Sequence, residues 1–168
     1  KSHTTYAGNE GEEKAQTTYN YNFDGDAIKT VTGFTYTNDA LTLSVTNKTK
    51  ADPLGVFTGN TAAVILGAKK SETVYSGNEG EEKAQTTYNY NFDGDAIKTV
   101  TSFFYTNDAL SSSNTNKVSN VTGDRNLVTL GVMKSITAYF GNEGEEKAQR
   151  TYECSVGEEG VKSGRCLW

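Results

Sequence analysis

Three glutamates crowd one short stretch, Gly8-Asn9-Glu10-Gly11-Glu12-Glu13, and the same six residues return at 77–82 and 141–146. Carboxylates and an amide between glycines are hard oxygen donors on a flexible loop, so calcium is one ligand they suit. Paired carboxyls also suggest acid and base work. Glu10, Glu12, Glu13, Asp24 and Asp26 are all duplicated, and glycoside hydrolysis needs two carboxyls across a cleft, one with a raised pKa. Every one of them falls in a predicted loop or turn, where a solvated carboxylate is the default. We therefore expect no enzyme, no bound cofactor unless calcium, and an undetermined metal. The competing reading is a solubilising acidic loop. Asn20-x-Asn22-x-Asp24-Gly25 opens like an EF-hand loop, but its twelfth position is Val31 and the segment alternates like a strand.

A third chemistry comes from the rings beside these loops. Ten tyrosines and seven phenylalanines are many for 168 residues. Tyr6, Tyr75 and Tyr139 each border a glycine loop. A ring can stack on the apolar face of a sugar while amides and carboxylates take its hydroxyls, the usual division of labour in a binding site. The expected ligand-binding residues are Tyr6, Asn9 and Glu10, then Tyr75, Asn78 and Glu79, then Tyr139, Asn142 and Glu143. Repetition would add avidity. The alternative for each tyrosine is a Tyr/Thr ladder that stabilises a sheet by cross-strand pairs.

Other chemistries lack their residues. His3 is the one histidine, it is terminal, and Glu72 and Ile136 stand in its place in the later copies. A Ser-His-Asp arrangement would have to use it, and no G-x-S-x-G elbow is present. Zinc has too few ligands. A net charge of -5, from 16 Lys+Arg against 21 Asp+Glu, disfavours nucleic acid, which requires neutralised phosphates. No apolar run is long enough for a spanning helix, so no membrane insertion is expected.

The elements that must position these residues follow from the repeat. Gly8–Thr32 recurs letter for letter at Gly77–Thr101, and Gly141–Gln149 repeats its start. Copies of Lys1-Ser2 at Lys70-Ser71 and Lys134-Ser135 divide one domain, 1–168, into repeats 1–69 and 70–133 and a partial repeat 134–168. Thr17, Tyr19, Tyr21 and Phe23 alternate with polar residues, the pattern of a half-buried strand. Asp24-Gly25-Asp26 predicts a tight hairpin turn. Ile28, Thr30, Thr32, Phe34 and Tyr36 predict one face of the returning strand. Asn38-Asp39 predicts a second turn, and Leu41, Leu43 and Val45 a third strand. A polar loop, 46–53, follows, and then an apolar run, 62–67, that continues into the next copy as one long or bent strand with a bulge near Gly67. The expected fold is all-β, an antiparallel sandwich or barrel built from two and a half internal repeats, with the last half copy closing it.

Two differences between the copies bear on the fold. Leu41-Thr42-Leu43-Ser44-Val45 becomes Leu110-Ser111-Ser112-Ser113-Asn114, which predicts an exposed edge or a loop in the second copy. In the third, Cys154 and Cys166 flank Gly157-Glu158-Glu159-Gly160, a new turn across which the two can meet as a disulfide. Such a bridge would contribute roughly 3 kcal/mol. It implies an oxidising, secreted setting, which a start at Lys1 without methionine also fits. Asn47 and Asn120 begin N-x-[ST] sequons. Thr18-Tyr19-Asn20-Tyr21-Asn22-Phe23-Asp24-Gly25 resembles the tyrosine-aspartate hairpin repeats of large bacterial surface shells, although the copies here are spaced far more widely. The expected function is a secreted, lectin-like, carbohydrate-binding protein with repeated sites, glycans as partners and self-association as a further property. The alternative is a structural or adhesive extracellular protein that assembles into filaments or matrix.

Overall fold

The computed structural model describes residues 1–155 and 165–166. They form an all-β, antiparallel meander. The strands are β1 (Ser2–Ala7), β2 (Lys14–Tyr21), β3 (Ile28–Thr37), β4 (Ala40–Lys50), β5 (Ile65–Ser76), β6 (Lys83–Tyr90), β7 (Ile97–Thr106), β8 (Ala109–Val118), β9 (Leu130–Phe140) and β10 (Lys147–Ser155), with a short β11 (Arg165–Cys166) against the end of β10. Their order in the sheet is their order in the chain. The sheet is open and one layer thick, not the expected sandwich or barrel. A second layer needs an apolar face on every strand. Here Thr, Asn, Lys and Gln occupy much of both faces, and only Ile28, Val31, Tyr90, Ile97 and Val100 are buried apolar side chains among the described residues.

Cross-strand pairs take the place of a thick core. Threonine hydroxyls meet at Thr4–Thr18 (2.9 Å), Thr32–Thr46 (2.8 Å), Thr73–Thr87 (2.9 Å), Thr101–Thr115 (3.0 Å) and Thr137–Thr151 (3.0 Å). Each such pair is worth roughly 0.2–1 kcal/mol, so the ladder matters through its length.

The small core that exists depends on a bulge. Asn20 pairs with Thr30, but the next residue, Tyr21, pairs with Ile28, so Lys29 is the extra residue on β3. The slip turns Ile28 and Val31 to one face, three positions apart, where strict alternation would separate them. Lys98 does the same for Ile97 and Val100. A loop then folds over each pair. The Ile28 amide donates to the Thr58 carbonyl at 2.9 Å, and the Ile97 amide to that of Thr122 at 2.8 Å. A side chain at Gly59 would stand 2.6 Å from the Asp26 carbonyl oxygen, so the lid comes this close only with glycine. Full burial of an isoleucine stabilises by about 1.5–3 kcal/mol.

Several expectations change. The tight Asp24-Gly25-Asp26 turn is a wider loop organised by Asn22, whose Oδ1 accepts from the amides of Gly25 (2.8 Å), Asp26 (3.2 Å) and Ala27 (3.4 Å). Asn38 and Asp39 do make a tight turn, both with positive φ, 49° and 67°. The polar loop begins only after Lys50, because β4 runs on to pair with β5. The long strand is β5, and its ladder with β4 shifts twice beside Gly67. The second copy's Ser-rich strand is neither edge nor loop. It is β8, inside the sheet between β7 and β9. An apolar face was not needed there, since Ser44 and Ser113 are themselves the buried residues at that position. Cys154 lies opposite Cys166 in the antiparallel register. The turn 157–160 lies outside the described residues, as does the Cys166 side chain. No helix of the described residues is long and apolar enough to cross a membrane.

Candidate functional site

Each glycine loop is a type II turn set by its own residues. The Glu12 amide donates to the Asn9 carbonyl at 2.9 Å, and Gly11 takes the positive φ, 83°, that position requires. Gly8 is at φ 138°, and a side chain there would meet the Glu12 carbonyl oxygen at 2.6 Å. The loops at Asn78 and Asn142 close the same way, at 3.0 and 2.9 Å.

In copies two and three the predicted tyrosines and first loop glutamates contact the neighbouring repeat. The Tyr75 hydroxyl lies 3.2 Å from Ser44 Oγ, and that of Tyr139 lies 3.3 Å from Ser113 Oγ. Glu79 pairs with Lys14 of the first copy at 2.8 Å, and Glu143 with Lys83 of the second at 2.9 Å. Both lysines also hold a turn carboxylate of their own copy, Asp39 between β3 and β4 or Asp108 between β7 and β8, at 2.9 Å. Partial burial pulls the Lys14 and Lys83 ammonium groups down, but hydrogen bonds to these carboxylates outweigh it and hold both above the ordinary lysine value. Asn78 donates to Glu81 at 3.4 Å, within its own loop.

Glu82 and Glu146, the repeats of Glu13, were not among the nine expected ligand-binding residues, yet they make the most direct tie. Glu82 Oε1 accepts from the Leu41 amide at 2.8 Å, and Glu146 Oε1 from the Leu110 amide at 2.9 Å. Those amides are the first cause that holds both carboxyls below the ordinary glutamate value. Among the described residues, the first copy has no such neighbour. Tyr6 is 63% exposed, and Asn9 donates only to Glu12, at 3.4 Å. Of the nine predicted residues, Tyr75, Glu79, Tyr139 and Glu143 thus belong to two equivalent seams, Asn78 stays within its own loop, and Tyr6 and Asn9 lie at an open end.

Beside each seam lies a shallow groove that the sequence did not reveal. The first, about 620 Å³, is lined by Asn9, Glu12, Gln16, Phe34, Tyr36 and Glu79, together with the Lys14–Asp39 pair. The second, about 600 Å³, has their equivalents Asn78, Glu81, Gln85, Phe103, Tyr105 and Glu143. Tyr36 is fixed by donating to the Ala15 carbonyl at 2.9 Å, and Tyr105 to that of Ala84 at 2.8 Å. The bordering rings Tyr6 and Tyr75 do not line these grooves. Gln16, Phe34 and Tyr36 meet only because β2 and β3 pair, a proximity that no local spacing encodes.

No group of three or more acidic, histidine or cysteine side chains that could hold a metal occurs among the described residues. His3 rests on the Tyr19 ring, with centroids 6.0 Å apart. Asn47 donates its amide to the Gly67 carbonyl, and Asn120 to that of Leu127. Compared with known families and with curated proteins, the chain matches no family profile and no curated sequence.

Proposed function

We propose that the chain is a non-enzymatic structural or adhesive protein of the extracellular space, a building block whose repeats form a stiff, thin β-ribbon that assembles into larger structures. One observation carries this reading. The carboxylates, tyrosines and lysines that could have served a ligand join one repeat to the next, in the same way at both seams. At about 4.8 Å per strand, ten strands extend the sheet roughly 45 Å. Side chains such as Phe23, Leu54, Phe57 and Phe140, more than half exposed, offer apolar contacts for assembly. A Cys154–Cys166 disulfide, which the facing register supports, belongs to the same oxidising setting. Electron microscopy and sedimentation of the purified protein test the proposal. Ordered polymers that grow with concentration are expected, and a monodisperse species at every concentration would overturn it.

The paired grooves favour a second reading, a lectin-like ribbon with glycans as ligands. An aromatic floor and amide-bearing walls, repeated at one spacing, suit a saccharide chain. Glycan-array binding that is lost in the double variant Gln16→Ala/Gln85→Ala would support it, calcium being tested in a parallel array. Binding that instead depends on Tyr75→Ala would return the site to the bordering tyrosines.

A further inference from the structure

β5 and β9 each carry two neighbours. One is the following strand of their own hairpin. The other is the last full strand of the preceding copy, β4 on β5 and β8 on β9. The same groups hold it both times: a loop glutamate on the Leu41 or Leu110 amide, a second loop glutamate on a lysine, and a tyrosine on Ser44 or Ser113.

β1 is built for the same neighbour, and its far edge has none among the described residues. Glu13 is already oriented. Its Oε2 accepts from the Gly11 amide at 3.0 Å, as that of Glu82 does from Gly80 at 3.0 Å. In Glu82 the other oxygen reaches the turn amide of the neighbour, and in Glu13 that oxygen faces no described amide. Tyr6 is likewise left exposed where Tyr75 and Tyr139 are half-buried. An unpaired strand edge is a row of free amides and carbonyls, a template for strand addition.

We propose that the β1 edge is a docking site for a β-hairpin of one chemistry: an Asn-Asp turn followed by Ala-Leu-x-x-Ser, the pattern of the β3–β4 and β7–β8 hairpins. The proposal rests on the structural reading above. The register follows from the inner seams. Ser44 lies opposite Thr73 and Val45 opposite Glu72, so the incoming serine faces Thr4 and the residue after it faces His3. The serine hydroxyl then meets Tyr6, and the leucine amide meets Glu13.

The probe is a labelled synthetic peptide with the sequence of residues 28–50, titrated into the full chain and followed by fluorescence anisotropy. Saturable binding is expected, with shifts in the ring signals of His3, the chain's one histidine, in proton NMR. Glu13→Gln and Tyr6→Ala should each weaken binding several-fold, and together by tenfold or more. Neither is buried, and circular dichroism checks that both variants fold. A peptide with Leu41→Pro, which lacks the required amide, should fail to bind. No binding of the parent peptide overturns the proposal, as does binding indifferent to all three changes. His3 signals that shift with protein concentration alone, without peptide, would also overturn it, by assigning the edge to a second copy of the chain. Polymers without peptide binding would sink the docking site and leave the structural reading. A monodisperse chain that binds the peptide would do the reverse.

Discussion

Tyr21 and Tyr90 occupy the same place in segments of identical sequence, and their surroundings differ. The Tyr90 hydroxyl donates to Glu72 Oε2 at 2.6 Å, with the Gly123 carbonyl oxygen 3.2 Å away. Lys69 sits 4.9 Å above its ring and 2.9 Å from Glu72 Oε1. Among the described residues the Tyr21 hydroxyl donates only to the Gly59 carbonyl, at 3.2 Å, and the residue in the place of Glu72 is His3, stacked on Tyr19 instead. The cause lies upstream. β5 brings Glu72 and Lys69 alongside the Tyr90 hydroxyl and ring, whereas β1 carries His3 at the place of Glu72. Each repeat is finished by the residues that precede it, so identical sequence yields a closed corner in one copy and an open one in the other.

Removing the charged member of the closed corner should have the largest effect. Glu72 is 8% exposed. Burial pushes its carboxyl up, but the Tyr90 hydroxyl and the Lys69 ammonium outweigh that and hold it below the ordinary glutamate value. Glu72→Ala strands both partners, and hydrogen bonds to a charged group are worth about 1.5–3 kcal/mol. A loss of about 2–3 kcal/mol by urea denaturation is expected, against less than about 0.5 kcal/mol for His3→Ala at the equivalent, exposed position. Equal losses would show that the two corners are energetically alike. Burial, and then Glu72, pushes the Tyr90 phenol well above its ordinary value of 10.0. Its contribution is whole below pH 10 and is lost as the pH rises above it, when the unfolded phenol ionises and the folded one does not. Tyr90→Phe should flatten that alkaline limb.

The next contrast uses the glycine of the same loop. Gly25 and Gly94 both have positive φ, 90° and 77°, so any other residue costs about 1–2 kcal/mol at either site. Their surroundings differ. A Cβ at Gly94 would stand 2.4 Å from the Lys69 backbone nitrogen, while at Gly25 it meets only the end of the Lys1 side chain, at 3.0 Å. Lys1 can swing aside and a strand backbone cannot. Gly94→Ala should therefore cost about 1–2 kcal/mol more than Gly25→Ala, as overpacking does. Equal midpoints in denaturant would mean that β5 yields at that point.

Much of the sheet was legible from period two alone. Thr17, Tyr19 and Tyr21 mark β2, and Asn38-Asp39 marks a turn whose positive φ values those two residues tolerate. The burial of Ile28 with Val31 was not legible, because it needs the one-residue slip at Lys29, and a bulge leaves no local signature in a threonine-rich strand. The sandwich was a fair inference from alternation. It failed because alternation says that two faces differ, not that one of them is apolar enough to recruit a second layer. Of the candidate site, the loops were legible and the contacts of their side chains were not. Tyr75 and Glu79 read as ligand groups when seen beside their own loop. Across the seam they serve Ser44 and Lys14, residues of a different repeat.

The smallest expected effect separates the seams from the open end by acid. The Leu41 and Leu110 amides hold the Glu82 and Glu146 carboxyls below the ordinary value of 4.5. A carboxyl whose folded pKa is lowered stabilises the fold fully above the unfolded value and loses that contribution as the pH falls through the folded one. The seams should therefore loosen below about pH 4.5, seen as reduced protection of the Leu41 and Leu110 amides against hydrogen exchange, relative to unstructured amides at the same pH. Glu82→Gln, which leaves only a neutral acceptor, should lower the protection of the Leu41 amide already at neutral pH and remove the acid dependence of that protection, while Leu110 keeps its own. The same change at Glu13 meets no described neighbour and should leave both amides as they were. If Glu13→Gln alters exchange at Leu41, the first loop acts on the seam through the sheet. The open end and the seams would then be coupled rather than independent copies of one joint.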